Sequence, residues 1–268
     1  MCKGTVLAYA SRPVVTGYDP TVRNVLILGG TAEARALAET LVGEGVDVTS
    51  SLAGRVRDPR MPVGAVRIGG FGGVDGLTAY LREHRVTHVV DATHPFAAQM
   101  RRHALDAAAS AGVPLVRLAR PGWAGHPDAG SWHWVDTYDD ARVRAEELGV
   151  RPFLTTGRQT LGHFASWTDR DVVVRVVVEL DAVPSRWTVV QDRGPYTREG
   201  EIAVMQQHAV DVLLTKDSGG GYTAAKLDAA RELGVPVVVV RRPPDPEGLA
   251  SVTEVEEVRR WLHASGSR

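Results

Sequence analysis

The sequence predicts an α/β protein with two Rossmann-like domains, each with a mostly parallel sheet that is flanked by helices. In four places a helix-like segment reaches a glycine and then continues into an apolar strand, which is typical of alternating helices and strands. The alternation lapses once, in the glycine-, proline- and aromatic-rich residues 120–134, and two similar halves lie on either side. The four junctions are GEGVDV (43–48), AGVPLV (111–116), LGVRPF (148–153) and LGVPVVVV (233–240).

The lapse divides the chain of 268 residues into domains of ordinary size. We expect residues 1–23 to be a mobile N-terminal extension, residues 24–121 to form the first Rossmann-like domain and residues 122–268 to form the second. The apolar residues of the aromatic segment WHW (132–134) are expected to pack in a core or between domains, with stacking on a ligand as the alternative.

Hydrophobic periodicity places the elements in order. Short apolar runs predict the strands, and apolar residues at three- and four-residue spacing predict the helices, with Pro95 at the first position of its helix. In the first half, the expected strands are 25–28, 46–52, 65–68, 88–91 and 115–118, and the expected helices are 32–42 and 95–111. In the second half, the expected strands are 153–155, 172–178, 187–190, 212–215 and 235–240, and the expected helices are 139–148, a short one after 158, 200–208, 223–233 and 252–262.

Composition excludes several classes of protein. The 31 basic residues nearly balance the 32 acidic ones, so charge gives no reason to expect a nucleic acid or membrane partner. The single cysteine, Cys2, cannot form an internal disulfide and has no neighbouring metal ligands, which fits a reducing cytoplasm and no bound metal. No apolar run approaches the roughly 20 residues that a membrane-spanning helix needs.

The loop GGTAEA (29–34) follows the first strand of the first half. Gly29 and Gly30 allow the backbone to approach a pyrophosphate, and the first amides of the next helix attract anions. Thr31 stands where the dinucleotide fingerprint has a glycine, so a plain strand-to-helix turn is an equal alternative. The acid at Glu33 is also explained by the helix dipole alone.

The loop SSLAGR (50–55) follows the next strand. An NAD site usually has an acidic residue here for the ribose 2′-hydroxyl, whereas this loop offers hydroxyls and Arg55, which suit a 2′-phosphate. NADP is therefore favoured over NAD, with a solvated loop as the alternative. Two further loops, GGFGG (69–73) and DATHPFA (91–97), also follow strands, although GGFGG also fits a flexible connection and His94 also fits a helix cap.

In the second half, LTTGRQ (154–159), RGPYTREGE (193–201) and LTKDSGGGY (214–222) follow or adjoin strands. The third loop combines Lys216, Asp217, Ser218 and three glycines, which could bind a carboxylate through charge and backbone amides. An ordinary turn with a solvated lysine is the alternative. The sequence contains no nucleophile elbow, Walker A motif or zincin motif.

Taken in order, LILGGTAEARALA, SLAGR, DATHPFA, TTGR, RGPYT and TKDSGGG resemble the precorrin-6A reductase family of cobalamin biosynthesis, from about residue 24 to residue 242. The resemblance implies an oxidoreductase that uses NADPH to reduce a double bond of the precorrin-6A macrocycle, giving precorrin-6B. It makes the first domain the NADPH-binding domain and the second the tetrapyrrole-binding domain. Transient contacts with neighbouring pathway enzymes are a candidate interaction.

By this resemblance, the loops of each half acquire expected roles. His94 and Lys216 are the candidate catalytic proton donors, with water as the alternative. The candidate cofactor-binding residues are Gly29, Gly30, Thr31, Ala32, Glu33, Ser50, Ser51, Leu52, Ala53, Gly54, Arg55, Gly70, Thr93, His94 and Pro95. The candidate substrate-binding residues are Thr156, Gly157, Arg158, Arg193, Lys216, Asp217, Ser218, Gly219 and Gly220. A reductase of the cobalt-containing macrocycle or another substrate, and a non-catalytic NADP-binding regulator, are the alternatives.

Overall fold

The computed structural model describes residues 6–7, 23–54 and 60–265, which belong to two compact α/β units. The first unit comprises Met1–Arg120 together with Pro244–Arg268, and the second comprises Pro121–Pro243. Assigning the C-terminal segment to the second domain was therefore wrong. The segment adds a strand to the first sheet, and Val258 and Leu262 are buried in the core of the first unit.

The elements alternate along the chain as the periodicity predicts. The strands are β1 (Val6–Leu7), β2 (Asn24–Leu28), β3 (Asp47–Leu52), β4 (Ala65–Ile68), β5 (His88–Asp91), β6 (Leu115–Leu118), β7 (His133–Val135), β8 (Pro152–Leu154), β9 (Val172–Val176), β10 (Trp187–Gln191), β11 (Val212–Lys216), β12 (Val237–Val240) and β13 (Ser251–Val252). The helices are α1 (Ala32–Gly43), α2 (Gly73–Glu83), α3 (Ala98–Ala111), α4 (Tyr138–Leu148), α5 (Arg198–Gln207), α6 (Ala225–Leu233) and α7 (Val255–Ser265). Short 3₁₀ turns cover Trp123–Gly125, Ala129–Ser131, Arg158–Phe164 and Gly221–Thr223.

The first unit contains a seven-stranded sheet in the order β1-β4-β3-β2-β5-β6-β13. Only β1, which pairs antiparallel with β4, departs from the parallel arrangement among the described strands. The central five strands follow the Rossmann order, in which the strand order reverses between β2 and β5. Ligands of such sheets bind beyond the carboxyl ends of the strands at this reversal, where GGTAEA and DATHPFA lie.

The second unit contains a six-stranded parallel sheet in the order β10-β9-β8-β11-β12-β7. Its strand order reverses between β8 and β11, which are followed by LTTGRQ and LTKDSGGG. The fold class predicted from the sequence, two Rossmann-like units with mostly parallel sheets, is thus confirmed. In each unit, the two loops beside the reversal come from the candidate motifs.

Both cores follow from the apolar strands. The side chains of Val25, Leu26 and Ile27 are fully inaccessible, as expected for a parallel strand covered on both faces. Helix α1 buries Ala34, Leu37, Ala38 and Leu41, as the spacing of its apolar residues predicts, whereas Val42, expected on the same face, is exposed. No helix in the described part of the chain has both the length and the apolar character to span a bilayer.

Several short elements differ from the predictions. Val6 and Leu7 form β1, so the predicted mobile extension is wrong at these two positions; residues 1–5 and 8–22 lie outside the described residues. Strand β7 lies inside the aromatic segment, where Trp132 packs in the core of the second unit. Strand β13 replaces the predicted start of the last helix. Strands this short lack the periodicity that would reveal them.

The start of α3 also differs from the prediction. The amide of Ala97 donates to the carbonyl of His94 at 2.8 Å, which forms a separate turn, and α3 begins only at Ala98. Pro95 therefore lies in the turn rather than at the first helical position. Its carbonyl accepts a hydrogen bond from Nη2 of the buried Arg101 at 2.8 Å, which connects the turn to the helix.

Folding stability is expected to depend on the protonation of His88. This imidazole on β5 is buried against Trp261, and burial, with a smaller contribution from Arg23, lowers its pKa below the ordinary value of 6.5. The unfolded chain therefore binds a proton at a higher pH than the folded chain, so acidification below about pH 6.5 destabilises the fold. Thermal unfolding should show the melting temperature of His88→Gln falling less between about pH 7 and pH 5 than that of the wild type. His163→Gln, at an exposed histidine, is the control and should retain the wild-type slope; an unchanged slope in His88→Gln would contradict the assignment.

Candidate functional site

The turn between β2 and α1 is shaped by its glycines. The Gly29 amide donates to the carbonyl of Ser51 at 2.9 Å, and a Cβ at this position would lie 3.3 Å from that of Ala34. Gly30 has a φ of 110°, and a Cβ there would meet no atom within 4 Å. The backbone thus faces open space at the start of α1, where the first-turn amides of Ala32 and Glu33 have no acceptor within the helix.

Thr31 is the N-cap of α1 and is nearly buried. Its Oγ1 accepts from the Ala34 amide at 3.1 Å and donates to the carbonyl of Ala92 at 2.8 Å. The hydroxyl therefore joins the turn after β2 to the end of β5, across the reversal of the sheet. Because its one proton is used inside the protein, donation from Thr31 to a phosphate would have to come from its backbone amide.

Glu33, in the first turn of α1, pairs with Arg120. Its carboxylate oxygens lie 3.3 and 3.5 Å from Nη1 of that arginine, which follows β6, and both side chains are partly buried. The acid thus has a tertiary partner in addition to the helix dipole. Arg120 thus compensates the negative charge of Glu33 beside the glycine turn.

The end of β3 carries the two serines of the SSLAGR loop. Ser50 and Ser51 are 2% and 7% exposed, so the solvated-loop alternative is wrong for both. Leu52 is also buried, whereas Ala53 and Gly54 are exposed. Arg55 lies outside the described residues, and its expected contact with a 2′-phosphate stays a prediction.

Arg67 on β4 was missed by the sequence predictions. Its Nη1 donates to Ser51 Oγ at 3.2 Å and to the carbonyl of Gly69 at 2.6 Å, and its Nη2 donates to the carbonyl of Gly70 at 2.7 Å. The guanidinium carbon also lies 3.6 Å from the centroid of the Phe71 ring. Arg67 thereby joins the end of β3 to the GGFGG loop, which argues against that loop being only a flexible connection. The available signal was a lone arginine inside an apolar strand.

The DATHPFA loop is ordered by local hydrogen bonds. Asp91 Oδ1 accepts from the amide and the hydroxyl of Thr93, at 3.0 and 2.7 Å. His94 Nδ1 accepts from the Phe96 amide at 3.2 Å, which places the proton of the neutral imidazole on Nε2. This bond lies within the turn before α3, whose N-cap is Ala97 without a side-chain bond, so the alternative of a helix cap at His94 is wrong. The imidazole carries its proton at the edge of the sheet.

A buried ionic network contacts Asp91, the first residue of this loop. Arg101 on α3 is fully inaccessible, with Nε 3.6 Å from Asp91 Oδ2 and Nη1 2.9 Å from Asp245 Oδ1. Arg117 of β6 also pairs with Asp245. Burial lowers the pKa of Arg101, with Arg117 adding to that effect and the two aspartates opposing it. The network links three segments that are distant in sequence.

In the second unit, the loops after β8 and β11 come close together. Gly157 has a φ of 93°, and a Cβ at this position would lie 3.7 Å from Lys216 Nζ. Thr156 is fully buried, and its Oγ1 is hydrogen-bonded to that of Thr160 at 2.7 Å. The structure therefore brings the ammonium of Lys216 next to the backbone of the TTGR motif, at the reversal of this sheet.

Asp217 has an internal role. Its Oδ1 accepts from the Trp123 amide at 2.9 Å, and its Oδ2 lies 3.2 Å from Arg242 Nε. The Gly220 carbonyl accepts from Trp123 Nε1 at 3.2 Å, and the Gly220 amide contacts the carbonyl of Pro121 at 3.4 Å. Asp217 thus positions the loop that contains Ser218, Gly219 and Gly220. Its expected direct contact with substrate stays a prediction.

The two remaining substrate candidates are exposed. Arg158 begins the 3₁₀ turn after β8, and Arg193 lies between β10 and α5, so both follow carboxyl ends of strands in the same parallel sheet. The parallel arrangement puts them at the edge that Lys216 also occupies. A second cluster at this unit, formed by Arg175, Glu201 and Lys226, was missed, although an arginine inside the apolar run of β9 was again a usable signal.

His126, Asp128 and Asp228 form a group of possible metal ligands among the described residues. Arg231 pairs with both carboxylates, at 3.3 Å from Asp128 Oδ2 and 3.4 Å from Asp228 Oδ1. His126 Nδ1 already accepts from the Asp128 amide at 3.2 Å. Arg231 thus compensates the negative charge of the two carboxylates that would attract a metal ion.

The loops at the two sheet reversals define a class of protein. Each unit has a glycine-containing loop with backbone amides at the reversal of a parallel sheet, and the second adds Lys216, so both edges suit anionic ligands. This arrangement is typical of Rossmann-like enzymes that bind nucleotides and other anions.

Comparison with known proteins identifies the family within that class. The family model described as "Precorrin-6x reductase CbiJ/CobK" matches residues 24–263. A precorrin-6A reductase of Rhodococcus erythropolis is 51% identical over 89% of this chain and 96% of its own, and one of Mycobacterium tuberculosis is 47% identical over 91% and 99%. The solved structure of "CobK precorrin-6A reductase" is 36% identical, with a TM-score of 0.84 over 91% of this chain and 98% of its own. This chain belongs to the precorrin-6x reductase family, as its motifs predicted, and is an oxidoreductase of cobalamin biosynthesis.

Proposed function

We propose that this chain reduces one double bond of precorrin-6A to give precorrin-6B, with NADPH as the reductant. Family membership supports the reaction. The observation that carries the choice of coenzyme is the glycine turn at the reversal of the first sheet, beside a strand end without an acidic residue. The described residues after the middle of β3, Ser50–Gly54, are SSLAG, and NAD sites usually have an acid at this place.

The described residues fit NADPH. Gly30 leaves open space in front of the first turn of α1, where backbone amides suit a pyrophosphate. Ser51, whose Oγ accepts from Arg67, is near the carboxyl end of β3, the strand end at which Rossmann domains usually bind the adenosine ribose, and Arg55 follows four residues later. Gly70, Thr93, His94 and Pro95 complete the proposed cofactor loops.

NADPH supplies a hydride when it is bound, and the chain supplies orientation and a proton. His94 holds a proton on Nε2, because Nδ1 accepts from a backbone amide. Lys216 holds one on Nζ, next to the backbone of Gly157. These two groups are the proposed proton donors.

The second unit supplies the proposed site for the carboxylates of the tetrapyrrole. Lys216, Arg158 and Arg193 offer charge, and the amides of the loop containing Ser218 and Gly219 offer hydrogen bonds. Both relatives compared above are named for precorrin-6A, which favours the metal-free macrocycle as substrate.

Anaerobic turnover tests this proposal directly. NADPH should be oxidised when precorrin-6A is supplied, should not be oxidised without it, and should be oxidised more slowly with the cobalt-containing macrocycle. Formation of precorrin-6B should match NADPH consumed. Binding of NADPH without reduction of either macrocycle would instead support a regulatory role.

Two arginine variants separate charge recognition from loop positioning. Arg55→Ala should weaken NADPH binding by about tenfold or more while changing NADH binding little, because only NADPH has a 2′-phosphate. Arg67→Gln should weaken both coenzymes by similar factors, since this buried guanidinium holds the loop through Ser51, Gly69 and Gly70. Coenzyme titrations measured by fluorescence give both ratios. Equal losses in Arg55→Ala would contradict the 2′-phosphate assignment.

A further inference from the structure

Lys226 is a buried lysine in the first turn of α6. Its side chain is 2% exposed, its Nζ donates to the carbonyl of Thr223, and Nζ lies 4.7 Å from the centroid of the Trp123 ring. The first turn of a helix carries the positive end of the helix dipole, which opposes a cation there. A charged lysine is therefore costly at this place, both in desolvation and in electrostatics.

The charges around Lys226 do not compensate it. Arg175 of β9 and Lys216 of β11 are the neighbouring cations, and Glu201 of α5 is the neighbouring anion. Glu201 Oε1 is bound by Arg175 Nη1 at 2.7 Å, and no ion pair joins Lys226 to a carboxylate among the described residues. Burial, reinforced by Arg175, lowers the pKa of Lys226 to about 7. Arg175 and Lys226 thus both interact with the Glu201 carboxylate, and Lys216 adds positive charge near Lys226.

Lys226 contacts the proposed substrate loop through Trp123. The backbone amide of this tryptophan is bound to Asp217, and its indole Nε1 is bound to the Gly220 carbonyl, while its ring contacts Lys226. Thr223, whose carbonyl accepts from Lys226, directly follows the same glycine loop. Lys226 is therefore connected to the loop by a hydrogen bond at Thr223 and by a cation–π contact with Trp123.

We propose that Lys226 is a proton-linked positioning residue: it takes one proton from solvent when a carboxylate-bearing substrate binds at the LTKDSGGG loop, and releases that proton when the product leaves. The inference rests on the proposed function, which places the tetrapyrrole carboxylates at this loop. An arriving carboxylate adds negative charge near Lys226, which has no ion pair of its own among the described residues, and so stabilises its ammonium form. By reciprocity, the protonated form binds the substrate more tightly.

The neighbouring groups do not substitute for this titration. Burial raises the pKa of Tyr196, whose ring lies 3.7 Å from the Arg175 guanidinium carbon, so the phenol stays neutral around pH 7. Arg175 is bound to Glu201 through Nη1 and Oε1. The remaining facing groups are Glu201 and Lys216, and they are shared by every variant used below.

The pH dependence of substrate binding tests the proposal in the full-length enzyme. In the wild type, KM for precorrin-6A should rise above about pH 7, by up to about tenfold per pH unit, because the protonated fraction of Lys226 falls by that factor. Lys226→Arg keeps the positive charge, so its KM for precorrin-6A should not rise above about pH 7. Lys226→Met should bind precorrin-6A weakly at every pH. The affinity for NADPH should keep one pH profile in all three proteins. The proposal would be overturned if KM for precorrin-6A rose above about pH 7 in Lys226→Met as it does in the wild type.

Calorimetry of the wild type gives a second, independent measurement that does not require a variant to fold. Titration with precorrin-6A in two buffers of different ionisation enthalpy should show net proton uptake near about pH 8, where the free enzyme has a mostly neutral Lys226. Binding without proton uptake would overturn the inference while leaving the reductase activity intact. Absence of NADPH-dependent reduction in the wild type would instead contradict the proposed function.

Discussion

Arg101→Leu is expected to lower the free energy of unfolding by about 3–5 kcal/mol, which is the cost of removing one partner from a buried ionic network. The fully inaccessible guanidinium lies 3.6 Å from Asp91 and 2.9 Å from Asp245, and it also binds the Pro95 carbonyl. The leucine would leave Asp91, which is 1% exposed, without its cation. Chemical denaturation, analysed as a two-state transition if the two units unfold together, measures the loss.

The matched control is Arg102→Leu, at the exposed neighbouring position of α3, which should change stability by less than about 0.5 kcal/mol. The double variant Arg101→Leu/Asp91→Asn should recover part of the loss, because it removes the uncompensated charge. Equal destabilisation by Arg101→Leu and Arg102→Leu would show that the network contributes nothing specific.

Gly219→Ala is expected to lower kcat/KM for precorrin-6A by about tenfold or more and the free energy of unfolding by about 2–4 kcal/mol. Gly219 has a φ of 67°, a conformation that costs alanine energy, and a Cβ there would overlap the Pro121 carbonyl and the Arg242 guanidinium. The loop would have to move away from Pro121 and Arg242. Steady-state kinetics and thermal unfolding measure the two effects.

Gly221→Ala provides the control for that variant within the same loop. A Cβ at Gly221 would meet no atom within 4 Å, so stability should change by less than about 0.5 kcal/mol. NADPH affinity should be retained in both variants, because the proposed cofactor loops belong to the other unit. A selective loss of NADPH binding in Gly219→Ala would contradict the assignment of this loop to the substrate.

Local sequence signals located the loops better than they assigned individual roles. The cap at Thr31 and the turn at Gly30 lie next to a helix start, so a strand-to-helix junction was enough to find them. Glu33 is different, because its partner Arg120 is 87 residues away and no local pattern joins the two. Arg67 and Lys226 also bond to residues close in sequence, but their contacts with Ser51 and Trp123 join separate elements, and no local pattern predicts those contacts.

The sequence by itself determined the fold class, the order of most strands and helices, the motif-bearing loops and the family. The fold class, the elements and the loops follow from periodicity, from glycine at helix ends, and from the rule that parallel strands end at one edge of a sheet. The family follows from the resemblance of the ordered motifs. Tertiary structure decided that the C-terminal segment joins the first unit, that Asp217 positions Trp123, and that Lys226 is buried among cations. The physical reason is that pairing a two-residue strand, or burying a charge, depends on partners distant along the chain.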